Sequence, residues 1–204
     1  MNICYLDLDG VIANFAKRVV VDMWGEKLPE NSYIDSFQID KVYGKTKREF
    51  YKSCDGFDFW HGIEKYPWAD DLVEIVDESM KGNWKFLTSP MRNDGCFSGK
   101  AAWVRRYFPK HFSKLIICGL GGDHNNEVSR LRKAVLCRSE NDYLIDDSPK
   151  NIAPWRSAGG SYYYWEEVTS DFDLEVIDRR LEHISMDLQG IFFKENGFEK
   201  YVTV

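Results

Sequence analysis

The run from Ile3 to Leu8 reads as a short buried strand that breaks off at two carboxylates, Asp7 and Asp9, followed by Gly10. This stretch constrains the possible folds more tightly than the rest of the chain. Successive strand residues point to opposite faces, so Asp7 and Asp9 are expected on one side, with Leu8 turned away between them. Two like charges held together are unfavourable unless they share a proton or a cation intervenes. A divalent metal is the simplest remedy, and Mg2+ suits a site with few carboxylates and room for a substrate phosphate. Gly10 permits a sharp backbone exit and the close approach of a ligand. The plainer reading, a strand ending in an Asp-rich turn, stands beside this one, because Asp is frequent in turns.

The pattern of an apolar strand ending in polar groups returns twice. Asn83–Leu87 reads as a strand entering Thr88, Ser89 and Pro90, and Tyr143 to Ile145 as one entering Asp146, Asp147, Ser148 and Pro149. Leu115–Cys118 and Gly159–Trp165 fit further strands, the former followed by a glycine-rich turn from Gly119 to His124. Helical spacing appears in Ala13–Trp24, Asp70–Met80, Ser98–Phe108 and Asp171–Leu188. The third of these places Lys100 in a first helical turn, where the dipole disfavours a cation, which hints at a nearby phosphate. Strands alternating with helices predict an α/β fold with a parallel sheet covered on both faces. Residues 25–66 hold no long period and read as a small helical cap, leaving 1–24 and 67–204 as the core domain. The cap's aromatics, among them Tyr33, Phe37, Phe50, Phe59 and Trp60, are expected to form its own small core. One or two facing the carboxylates would instead stack on a nucleobase.

At 204 residues the chain has room for one well-packed domain and an insertion. Its formal charge of -6 argues against a polymeric nucleic-acid partner, which needs a concentrated basic surface. A small anionic substrate remains compatible where a metal and a few lysines reverse the local field. The five cysteines, Cys4, Cys54, Cys96, Cys118 and Cys137, are odd in number and scattered, as expected for reduced thiols in a cytoplasmic protein. No apolar run approaches the ~20 residues that cross a bilayer, so no membrane partner is expected.

The motifs, taken in order, resemble those of a known family. Asp7-Leu-Asp-Gly-Val-Ile-Ala-Asn-Phe15 resembles the first motif of the haloacid dehalogenase-like phosphatases, and its extension through Ala13 and Phe15 is similar to the 5'(3')-deoxyribonucleotidase branch. Thr88-Ser89-Pro90 resembles the second motif and Asp146-Asp147 the fourth, with Lys133 matched to the third-motif lysine and Lys100 as its rival. Phe57 to Ala69 resembles that branch's paired aromatics before a helix start, except that Trp68 stands where the branch has Gly.

The resemblance implies a Rossmann-like core with a small cap inserted after the first strand. It also implies Mg2+-dependent hydrolysis of deoxyribonucleoside 5'(3')-monophosphates through an aspartyl-phosphate, by a monomer or homodimer. Asp7 would be the nucleophile and Asp9 the general acid and base. Thr88, Ser89 and Lys133 would bind the phosphate, with Lys100 beside it. Asp7, the backbone carbonyl of Asp9 and Asp146 would hold the metal, Asp147 orienting its waters or exchanging roles with Asp146. Phe15, Phe59 and Trp60 would contact the substrate's base and sugar. The alternatives are phosphatase action on another small monoester, or a nucleotide-binding module without turnover.

Overall fold

The computed structural model describes residues 2–28, 38–118, 132–166 and 173–190. Five short strands, β1 (Cys4–Leu6), β2 (Trp84–Thr88), β3 (Leu115–Ile117), β4 (Tyr143–Asp146) and β5 (Ser161–Tyr164), form one sheet in the order β3-β2-β1-β4-β5. Every pairing is parallel, as the α/β reading requires. The strands are apolar on both sides because both faces are covered. Cys4, Leu6, Trp84, Phe86, Tyr143 and Ile145 enter one hydrophobic cluster, while the intervening Tyr5, Leu87 and Leu144 enter the other.

Helix α1 (Phe15–Lys17) widens into a π turn over Arg18–Met23, and it is followed by α2 (Ile39–Val42), α3 (Lys47–Ser53), α4 (Phe57–His61) and α5 (Ala69–Ser79). Then come α6 (Asp94–Tyr107), α7 (Pro149–Ser157) and α8 (Leu174–Leu188). Ile152 and Trp155 of α7 join the cluster on the second face, and the other helices feed the first. The described part of the segment expected to be a cap carries short helices whose buried apolar residues pack into the main core. Ile39, Phe50, Phe59, Trp60 and Ile63 belong to the same cluster as Leu6, Trp84 and Phe86. Helices as short as α2, α3 and α4 depend on packing against larger neighbours for their stability. Trp68, the departure from the expected Gly, donates from its indole N–H to the Val11 carbonyl at 2.9 Å and stacks on Tyr66 at 4.3 Å, so it is bound into this packing.

Two boundaries differ from expectation in ways that matter for the site. β1 ends at Leu6 because the chain turns around the Leu8 carbonyl, which accepts the N–H groups of Val11, Ile12 and Ala13 at 3.3, 2.9 and 2.8 Å. Helix α6 starts at Asp94 rather than Ser98, since Asn93 Oδ1 caps it by accepting the Cys96 N–H at 2.7 Å. Lys100 therefore lies well beyond the first turn, and the dipole argument for a phosphate beside it lapses. The expected turn from Gly119 to His124, Tyr33, Phe37 and the start of the last helix at Asp171 lie outside the described residues. Among the described residues, no helix is long and apolar enough to cross a membrane.

The strand order positions the site. The chain leaves β1 for β2 and β3 on one side, then returns to β4 and β5 on the other, so the loops after β1 and β4 diverge and open a crevice. The Asp7 N–H donates to the Ile145 carbonyl at 3.0 Å, which ties the ends of β1 and β4 together at that crevice.

Candidate active site

Three strand ends converge there. Asp7 follows β1, Thr88 closes β2, and Asp146 closes β4 with Asp147 next in the chain. All four are buried, while Asp9 keeps 25% of its side-chain surface accessible. Ligand oxygens of Asp7, Asp146 and Asp147 lie within 4.8 Å of one another. The Asp9 side chain, expected near the metal set, stands outside this trio and pairs with Lys100 instead. Because β1 stops at Leu6, strict strand alternation no longer dictates where the second carboxylate points.

Both candidate lysines are present, with different partners. Lys133, in a short 3-10 turn over Arg132–Leu136, places its Nζ 2.7 Å from Asp7 Oδ1 and 2.6 Å from Asp146 Oδ2. Lys100, on α6, donates to Asp9, to Thr88 Oγ1 at 2.7 Å and to the Ser89 carbonyl at 2.8 Å. Lys133 thus serves the nucleophile candidate and the fourth motif, while Lys100 serves the second acid and the hydroxyl strand end. Burial alone would favour neutral Lys133, but Asp146 and Asp7 hold its ammonium above the usual lysine range.

The carboxylates respond to burial. Asp146 is pushed up to about 6 by loss of solvation and then by Asp7, with Lys133 opposing. Asp9 is likewise held above the ordinary range, first by desolvation and then by Asp7, against the pull of Lys100. Its exposed edge does not undo this, because the rest of the carboxylate is hemmed in by protein.

Residues beyond those expected from the sequence support Asp146. Its Oδ1 accepts the Ser148 N–H at 2.8 Å and Asn151 Nδ2 at 3.0 Å; its Oδ2 accepts Lys133 Nζ and, at 3.1 Å, the same amide nitrogen of Asn151. Asn151 sits in the first turn of α7, the helix that Pro149 opens, so a helix start directly after Asp-Asp-Ser-Pro is the signal that could have found it. Gly10 has φ +78°, and a Cβ there would collide with the Asp147 carboxylate. The group that approaches this glycine is thus Asp147 rather than a ligand.

The residues fit a hard divalent cation. Ligand oxygens of three carboxylates, Asp7, Asp146 and Asp147, are gathered at one buried point. Asp7 Oδ1, although paired in charge with Lys133, accepts no well-directed hydrogen bond. Three clustered carboxylates with an underused oxygen form the oxygen-only donor set that Mg2+ prefers.

The aromatics expected to contact substrate lie in the core. Phe15, Phe59 and Trp60 are 5%, 2% and 1% exposed and pack on one another, with Phe15 stacked on Trp60 at 5.7 Å. All three belong to the main hydrophobic cluster, as the short helices around them require. Ser89 is half-buried beside Thr88, and its carbonyl is already engaged by Lys100.

No family model and no curated protein matches the chain. Among solved structures, one described as a haloacid dehalogenase-like hydrolase from Bacteroides fragilis aligns with a TM-score of 0.51 at 16% identity, covering 83% of this chain and 90% of that one. The fold is haloacid dehalogenase-like. A hydrolase from Streptococcus pneumoniae TIGR4 aligns with a TM-score of 0.50 at 13% identity, covering 89% of this chain and 98% of that one. These alignments cover 83% and 89% of the chain, so the haloacid dehalogenase-like fold accounts for most of its length.

Proposed function

We propose that the chain is a Mg2+-dependent phosphatase that hydrolyses phosphate monoesters through an aspartyl-phosphate on Asp7. The observation that carries this reading is the meeting of Asp7, Asp9, Thr88 and the Asp146–Asp147 pair with two buried lysines at adjoining strand ends. Asp7 attacks phosphorus and the bond to the leaving alkoxide breaks as the acyl phosphate forms. Asp9, whose raised pKa suits it to carry a proton, protonates that alkoxide and then takes a proton from the water that attacks the intermediate. Inorganic phosphate leaves and the Asp7 carboxylate is restored. Thr88 and Ser89 supply short hydroxyls to the phosphate oxygens, and Lys133 and Lys100 meet the charge that develops on them.

When bound, Mg2+ would screen the repulsion between the Asp7 carboxylate and the anionic substrate. Asp7 and Asp147 would hold the ion through their side chains, and the Asp9 carbonyl from the backbone. Asp146 holds Lys133 and orients the group, since its lone pairs already accept four hydrogen bonds. This is the exchange of roles between Asp146 and Asp147 that the motif resemblance leaves open.

Deoxyribonucleoside 5'(3')-monophosphates are the proposed substrates on the strength of the Asp7–Phe15 and Phe57–Ala69 resemblances. Burial of Phe15, Phe59 and Trp60 favours a second reading, a smaller phosphate monoester that needs no base-stacking surface. Phosphate release from a panel of ribo- and deoxyribonucleotides and small sugar phosphates, with Mg2+ or with chelator, separates the two. Release that requires Mg2+ and is lost in Asp7→Asn is the expected result. Turnover that persists in Asp7→Asn overturns the proposed nucleophile.

A further inference from the structure

Lys100 makes one contact that phosphate binding does not require. Its Nζ lies 4.9 Å from the centroid of the Trp60 ring, while its hydrogen bonds go to Asp9, Thr88 Oγ1 and the Ser89 carbonyl. Three polar partners use the three ammonium protons, and the indole covers a further side of a lysine that is 2% exposed. An aromatic face attracts a cation through its quadrupole, most strongly where water is excluded.

Trp60 is itself held from several directions. Its indole N–H donates to the Cys54 carbonyl at 2.9 Å, Phe15 stacks on it, and Phe59 meets it edge-on at 5.0 Å. A Cβ at Gly99, the residue before Lys100, would collide with Trp60 Cβ, and one at Gly95 would collide with the backbone of Gly56 and Phe57. Two glycines one turn apart on α6 therefore let α4 lie directly against it. The same helix carries Lys100 and the notch that seats Trp60.

We infer that Trp60 is a positioning residue, holding Lys100 against Asp9 and Thr88 so that the seating of α4 on α6 sets the placement of this lysine. The claim rests on the phosphatase reading for its activity test, and on the ring contact alone for its spectroscopic test. Trp60→Leu removes the aromatic face but keeps an apolar side chain, and Trp60→Phe keeps a smaller face.

Expected is a fall of about tenfold in kcat for Trp60→Leu, the size of one buried cation–π contact, with most of it recovered in Trp60→Phe. In a Lys100→Met background, Trp60→Leu should add no further loss. In the wild-type protein, the ε-methylene NMR signal that disappears in Lys100→Met should be shifted upfield by the indole ring current. An unchanged kcat in folded Trp60→Leu, a loss that adds fully to that of Lys100→Met, or an unshifted Lys100 signal overturns the inference. Should Trp60→Leu fail to fold, the wild-type Lys100 signal and the Trp60→Phe rate decide it. A wild-type protein that releases no phosphate removes the proposed function, and the Lys100 signal still tests the contact.

Discussion

Asp7 and Lys133 form an ion pair 2.7 Å long at the tip of β1, and the lysine has no accessible surface. Asp146 completes the bridge at 2.6 Å, so one ammonium stands between two buried carboxylates. Such an arrangement is unfavourable to desolvate and strongly unfavourable to break, because removing the cation leaves both acids without it.

Lys133→Met should therefore destabilise the metal-free protein by about 3–5 kcal/mol, the usual cost of breaking a buried pair from one side. Added Mg2+ should restore part of the lost melting temperature without restoring turnover. Thermal melts of both proteins, with Mg2+ and with chelator, provide the measurement.

The Asp146 carboxyl, pushed up to about 6 by burial, sets a pH dependence. Unfolded aspartate ionises near pH ~3.9. Between these values the unfolded chain has already released this proton while the folded chain keeps it, so stability from this group falls as pH rises through that window. A cation opposes this by favouring the ionised cluster. The rise in melting temperature on adding Mg2+ should accordingly be larger at pH 7.5 than at pH 5, and an equal rise at both would count against Mg2+ binding at these carboxylates.

Gly10→Ala asks a side chain to occupy both a left-handed backbone position and the space of the Asp147 carboxylate. The backbone alone costs roughly 1–2 kcal/mol. Because Asp147 must also move, Mg2+ affinity measured by calorimetry should weaken together with kcat, even where the fold survives.

Asn151→Ala removes the side chain whose nitrogen lies 3.0 and 3.1 Å from the two Asp146 oxygens. Supporting groups of this kind typically contribute 10–100-fold to metal affinity or activity. Because Asn151 supports the Asp146 that holds Lys133, a loss of about that size in kcat is expected, with circular dichroism unchanged.

Much of the scaffold was legible locally. The Ile3–Leu8 and Tyr143–Ile145 runs announced buried strands, and the Leu72, Val73 and Val76 spacing announced α5, because periodicity follows directly from backbone geometry. Strand and helix ends were less legible. The Asn93 cap that starts α6 early, and the turn around Leu8 that stops β1, each depend on one side chain or one carbonyl rather than on a repeat. The aromatics between Phe50 and Trp60 could not be divided by composition into base-stacking and core residues, since a large ring serves either purpose.

By itself the sequence determined that acids and hydroxyls would stand at the ends of buried strands in an alternating α/β chain. Only the tertiary structure decided that Lys133 meets Asp7 and Asp146 while Lys100 meets Asp9, a residue 91 positions away. It also decided that Phe15 stacks on Trp60. The physical reason is range: spacing along the chain encodes which side of an element a residue occupies, whereas its partner is set by how separate elements pack.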